Sequence, residues 1–237
     1  MQQLGRALQD ARFLAKLHAP RDAQAIRCGL RPILRELGGN PTPAAREQFQ
    51  ALLTARVFTR DADRVDSLIR ASGQFRPPTE RLVRFWRAHA RPQDGFVNLT
   101  TMALVENGGA QAIALFEQLL GDPRHDAGAR RSWMISDVMP HRNDLLLLQA
   151  ARRLLGRPAA LSPKLREALV EALFDYRPEK WFTPNGGPSP PPLAKATPAA
   201  REELKKIAAM ALKLPLDTRL SSAVKRALAE IDSRNLP

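Results

Sequence analysis

The fold class is decided by residues 109–156, which read GAQAIALFEQLLGDPRHDAGARRSWMISDVMPHRNDLLLLQAARRLLG. Three segments of this stretch carry apolar residues at helical spacing, and none of them can bury its apolar face alone. Pro123 and Pro140 stand in the two breaks between the segments, where a residue without an N–H ends a helix. Helices that alternate with tight turns in this way are typical of stacked helical hairpins.

The rest of the chain follows the same pattern. Polar residues that favour helix N-termini stand before the apolar segments, and several are followed by a proline at the first helical position. Helix starts are predicted at Thr42, Asp61, Thr79, Asp126, Asn143 or Asp144, Ser162 and Thr197. No sustained run alternates Val, Ile or Thr with polar residues, as a half-buried strand would. The sequence therefore predicts an all-α protein.

Three later segments resemble one another: ARRSWMISDVM (129–139), KLREALVEALF (164–174) and AVKRALAEI (223–231). Each follows a turn and places a basic residue before small and large apolar residues at helical spacing. This pattern resembles the second helix of HEAT-type repeats over residues 100–237, and more loosely before them. The resemblance implies a right-handed α-solenoid of stacked antiparallel helix pairs, with 1–237 as a single helical-repeat domain. Armadillo-like and other helical-hairpin arrays remain open alternatives.

The helical pattern fails over residues 177–197, which hold six prolines and two glycines. Such a segment cannot be helical throughout, so we expect a loop excursion between repeats. Trp181 and Phe182 are the side chains that would anchor it against the helices. The alternative is that its proline run adopts polyproline II and binds an aromatic groove of a partner.

The formal net charge is +13, and most of the excess lies in the first 91 residues, where 17 Lys and Arg stand against 8 Asp and Glu. Two sets of arginines recur at helical spacing, so each set shares one helix face. The first set is Arg27, Arg31 and Arg35, and the second is Arg81, Arg84, Arg87 and Arg91. A basic face of this kind predicts phosphate binding, while the plainer interpretation is a solvated surface of an arginine-rich protein.

Trp133 and Asp137 are four residues apart and should share one helix face. They resemble a Trp and an Asp at the same spacing in a small family of DNA glycosylases built from HEAT-like repeats, which act on alkylated bases. The other Trp and Asp residues of that family's cluster are absent here. The plainer interpretation is that Trp133 is a core residue and Asp137 a surface residue near the end of its helix.

His89, His125-Asp126 and Asp144 follow the ligand order of all-α metal phosphohydrolases. A metal site needs convergent ligands with supporting contacts, and Asp126 is better explained as a helix cap. No phosphate-binding glycine loop, nucleophilic serine turn or Cys–His pairing occurs in the sequence. We therefore expect neither a metal nor a cofactor.

These observations favour a non-enzymatic scaffold that binds a protein or peptide partner on the concave surface of a helical-repeat array. The alternative is a nucleic-acid-binding array that uses the N-terminal arginines, with or without glycosylase activity. No apolar run reaches the length of a membrane span, which is about 20 residues. The N-terminus is too polar for a secretion signal, and a cytoplasmic location is expected.

Overall fold

The computed structural model describes residues 31–175 and 192–232. Within these ranges the chain forms helices and no strand, which confirms the all-α prediction. No helix in the same ranges is both long and apolar enough to cross a bilayer. Backbone contacts divide the chain into two compact units, Met1–Gly109 and Ala110–Pro237. The assignment of 1–237 to one helical-repeat domain stays a prediction.

The first unit contains six described helices. They are α1 (Arg31–Gly39), α2 (Pro43–Leu52), α3 (Arg56–Thr59), α4 (Ala62–Ser72), α5 (Glu80–His89) and α6 (Val97–Asn107). Helix α4 packs against both α1 and α6, so these three helices lie side by side. Helices α1 and α2 also pack together, as do α5 and α6.

Close backbone approach and two buried hydrogen bonds hold the first unit together. The Cα of Gly38 faces the carbonyl of Ala71, so α1 and α4 meet without an intervening side chain. The buried Trp86 donates its Nε1–H to Ser72 Oγ at 2.7 Å, which joins α5 to α4. Asn107 donates its Nδ2–H to the carbonyl of Phe75 at 2.8 Å, which joins α6 to the turn after α4.

The second unit also has six described α-helices. They are α7 (Ala110–Gly121), α8 (Ala127–Trp133), α9 (Leu145–Leu155), α10 (Pro163–Phe174), α11 (Pro198–Ala211) and α12 (Thr218–Asp232). Helix α9 packs between α7 and α11, while α10 packs against α8 and α12. Most neighbours in space within this unit are thus alternate helices in the chain.

Buried carboxylates tie these alternate helices together. Glu117 of α7 accepts two hydrogen bonds from Arg153 of α9, at 2.9 and 2.7 Å. The adjacent Arg152 points the other way and donates to Glu203 of α11. Among helices α8, α10 and α12, Glu171 of α10 lies 3.6 Å from the guanidinium of Arg131 on α8. It lies 3.4 Å from the guanidinium of Arg219 on α12.

The helix starts predicted from the sequence are confirmed by their capping hydrogen bonds. In each case a side-chain oxygen accepts from a backbone N–H two or three residues later, which satisfies a donor without a helical partner. The capping residues are Thr42, Asp61, Thr79, Asp126, Asp144, Ser162 and Thr197. Of the two candidates before α9, Asp144 is therefore the cap.

One departure from the predicted pattern occurs in the second unit. The helix expected to run from Asp126 to Met139 leaves α geometry after Trp133 and continues as one turn of π-helix, Met134–Val138. The excursion expected over 177–197 lies mostly outside the described residues, and so do Trp181 and Phe182. Its described end contains a 3₁₀ turn, Leu193–Lys195, that packs against α12.

The close approach of α1 and α4 predicts opposite outcomes for two adjacent glycines. A Cβ at Gly38 would lie 2.6 Å from the backbone oxygen of Ala71, which no side-chain rotation can relieve. We expect Gly38→Ala to lower the free energy of unfolding by about 1–3 kcal/mol. A Cβ at Gly39 meets its nearest atom at 3.8 Å, so Gly39→Ala should be neutral or stabilise by up to about 1 kcal/mol.

Urea denaturation of both variants measures this difference. Equal effects of the two substitutions would contradict the packing of α1 on α4.

Candidate functional site

The first unit carries an open groove of about 440 Å³ between α1, α4 and α6. Three arginines line it, together with one glutamate, one serine and a largely apolar floor. The basic residues are Arg31, Arg35 and Arg70, and the apolar residues are Pro32, Ala71, Leu99, Met102 and Ala103. Such a mixture of apolar surface and a few polar groups is typical of a ligand-binding groove.

The helix spacing explains how these side chains come together. Arg31 and Arg35 are one turn apart on α1, and Leu99 and Met102 are one turn apart on α6, so each pair shares a face. Helix α4 lies between the two and contributes Arg70. Met102 is 46% exposed, one of few large apolar side chains in the described ranges to be so accessible.

The charges in the groove do not cancel. Asp66 accepts from Arg31 and, at 3.0 Å, from Arg70, so one carboxylate serves two guanidinium groups. Arg35 lies 3.9 Å from Glu106, and its side chain is 71% exposed, so this pair is weak. With three arginines against two carboxylates, the groove keeps a net positive charge beside its apolar floor.

The arginines singled out in the sequence do not form one site. Arg31 and Arg35 line the groove, whereas Arg81, Arg84 and Arg87 are exposed on α5 and do not. Arg27 lies outside the described residues. Sequence reasoning missed Arg70, Leu99 and Met102. The last two lie on a helix, VNLTTMALVEN, whose apolar and polar residues do not separate into two faces, so no stripe indicates which side chain stays exposed.

The Trp133–Asp137 pair is not an accessible site. Trp133 is 1% exposed and packs edge-to-face on His125, with the ring centroids 5.1 Å apart. Its assignment to the core is confirmed. The interpretation of Asp137 as a surface residue is wrong, because it is 2% exposed and accepts a 2.7 Å hydrogen bond from Ser136 Oγ. Asp137 lies four residues after the buried Trp133, on the same side of the segment, and is buried with it.

The metal-ligand order noted in the sequence does not produce a cluster. Among the residues that the structure describes, no three His, Cys, Asp or Glu side chains converge on a point that could hold a metal ion. His89 instead packs edge-to-face on Phe85 and lies 3.4 Å from a carboxylate oxygen of Asp94. Asp126 and Asp144 cap helices.

A second, more polar cleft of about 590 Å³ lies in the second unit, at the ends of α7 and α9. Glu117 engages both of its arginines there, Arg153 at 2.7 Å and Arg157 at 3.0 Å. Asp122 on its rim is bound by Arg124, whose hydrogen bonds lower the pKa of that carboxyl to about 2. Both arginines of this cleft are held by close hydrogen bonds to Glu117, whereas Arg35 of the first groove lies 3.9 Å from its partner, so this cleft is the weaker candidate.

Comparison of the chain with protein-family models, with curated proteins and with solved structures found no match. The chemistry of the groove therefore rests on its own residues. Those residues offer arginine N–H donors at the rim and apolar contact at the floor. They suit a ligand that is anionic and partly aliphatic.

His125 gives the second unit a testable dependence on pH. Burial lowers the pKa of its imidazole, the charges of Arg124 and Arg130 lower it further, and the carboxylate of Asp122 opposes the shift. As the pH falls below about 6.5, the unfolded chain takes up the proton before the folded chain does, so stability should fall. His125→Gln removes this proton uptake, and its free energy of unfolding should fall less than that of the wild type between about pH 7.5 and 5.5.

Urea denaturation across that range measures both slopes. The same pH dependence in the two proteins would show that His125 is not held neutral by its surroundings.

Proposed function

We propose that the protein is a non-enzymatic scaffold of the HEAT-like, right-handed α-solenoid type, and that it binds a partner peptide. The support for this architecture is the packing of alternate helices. Helix α4 packs with α6, α9 packs with α7 and α11, and α10 packs with α8 and α12, while α11 and α12 pair as successive helices. In helical-repeat proteins this arrangement places equivalent helices side by side and leaves grooves between them.

The open groove of the first unit is the observation that carries the binding function. Its occupant is an acidic peptide segment with at least one large aliphatic side chain. The aliphatic side chain would cover Met102 and Leu99. This contact removes apolar surface of both partners from water. The peptide carboxylates would approach Arg35 and Arg70, whose side chains are 71% and 44% exposed. Arg35 is only weakly paired with Glu106, and Arg70 shares Asp66 with Arg31.

Selection of short random peptides on the full chain tests this proposal. Enriched sequences should carry a net negative charge and a Leu, Ile, Met or Phe. Synthetic copies of them should bind with an affinity that falls at least about tenfold in Met102→Asp, because a charge then lies on the apolar floor. Arg35→Glu should weaken acidic peptides and leave uncharged ones unaffected.

Leu146→Asp is the matched control. Leu146 is also an exposed large apolar residue, at 37%, but it lies on α9 and does not line the groove. Binding should survive this substitution. Enrichment of basic peptides, or equal losses in Met102→Asp and Leu146→Asp, would refute the assignment of the groove.

A further inference from the structure

A row of arginines runs along α5, away from the groove. Arg81, Arg84 and Arg87 follow one another at intervals of three residues, and all three are exposed. Residues three apart lie on neighbouring parts of a helix face, about 5–6 Å from each other. Arg91 is exposed just beyond the end of this helix. The row therefore forms one positively charged strip on the first unit.

These arginines differ from those of the groove in having no carboxylate partner. Arg84, Arg87 and Arg91 make no ion pair within 4 Å with any residue of the described ranges. Glu80 lies at the start of the same helix and makes none either. By contrast, Arg31, Arg35 and Arg70 each lie near Asp66 or Glu106. Helix α5 thus carries consecutive exposed arginines that no carboxylate of the described ranges neutralises.

Other contacts hold the strip in place without neutralising it. Arg81 donates from NH1 to the backbone carbonyl of Gln50 on α2, at 3.4 Å. The inner face of α5 is fixed by the buried side chains of Leu82, Phe85 and Trp86. A helix held in this way presents its arginines at fixed spacing, which reduces the entropy lost when a ligand binds several of them.

We propose that the strip on α5 binds the phosphate backbone of duplex nucleic acid. At a rise of 1.5 Å per residue, Arg81 to Arg87 spans about 9 Å along the helix axis, so the row can face more than one phosphate of a duplex. The planar guanidinium group donates two hydrogen bonds at once to a phosphate. An acidic membrane is a poorer fit, because α5 has no exposed large apolar side chain to insert into a bilayer.

Fluorescence anisotropy with a labelled duplex DNA of random sequence tests the strip on the full chain. The double substitution Arg84→Glu with Arg87→Glu should weaken binding by about tenfold or more at low salt. It should also reduce the slope of log K against log salt by about two, one for each lost phosphate contact. Glu80→Gln should strengthen binding, because it removes the one carboxylate of the helix.

Lys225→Glu with Arg226→Glu is the matched control. Both residues are exposed on α12, neither has an ion-pair partner in the described part of the chain, and the change in net charge is the same. This control should leave the affinity within about twofold of the wild type. Both double variants should keep the wild-type melting temperature, since the four side chains are exposed.

Three results would overturn the proposal. The first is an equal loss in the α5 variant and the α12 variant, which would assign binding to the overall charge of +13. The second is no binding of duplex DNA by the wild type at low salt. The third is that the α5 variant binds duplex DNA as tightly as the wild type but no longer binds vesicles of acidic phospholipid. This result would assign the strip to a membrane surface.

Discussion

Alternate helices of the second unit are joined by carboxylates that lie almost out of reach of water. Glu117 and Glu203 bind the two adjacent arginines of α9, and Glu171 lies between guanidinium groups of α8 and α12. A buried carboxylate without a partner is costly, so each of these groups requires the neighbouring helix to sit where its cation can reach. Apolar burial brings the helices together, and these pairs specify which helices become neighbours.

The same pairs decide which charges remain for binding. In the second unit, Arg152, Arg153, Arg157 and Arg219 are all engaged by carboxylates, so its polar cleft offers little free charge. In the first unit, Arg35 of the groove is 71% exposed and lies 3.9 Å from Glu106, and the exposed row on α5 has no ion-pair partner in the described ranges. The two proposed functions follow from this uneven pairing, since an acidic peptide and a phosphate backbone each require uncompensated arginines.

The local structure could be predicted from the sequence because its causes are local. The hydroxyl and carboxyl groups of Thr42, Asp126 and Ser162 cap helices within three residues of themselves, and the prolines end or begin helices by their own geometry. The pairing of charges could not be predicted, because its partners are distant. Arg31 is 35 residues from Asp66, and Arg152 is 51 residues from Glu203. The prediction that Asp137 lies at the surface was wrong for a different reason: aspartate is rarely buried, but this one lies four residues after the buried Trp133.

A double-mutant cycle on Arg152 and Glu203 tests most directly whether buried carboxylates hold alternate helices together. Urea denaturation of Arg152→Gln, Glu203→Gln and the double variant gives the coupling free energy of the pair. We expect about 1–2 kcal/mol, because Glu203 is 4% exposed, against a few tenths for the exposed pair Glu202–Lys205 within α11. The coupling free energy of Arg152 and Glu203 should persist in high salt. A coupling near zero for Arg152 and Glu203, or one as small and salt-sensitive as that of Glu202 and Lys205, would contradict this account of the fold.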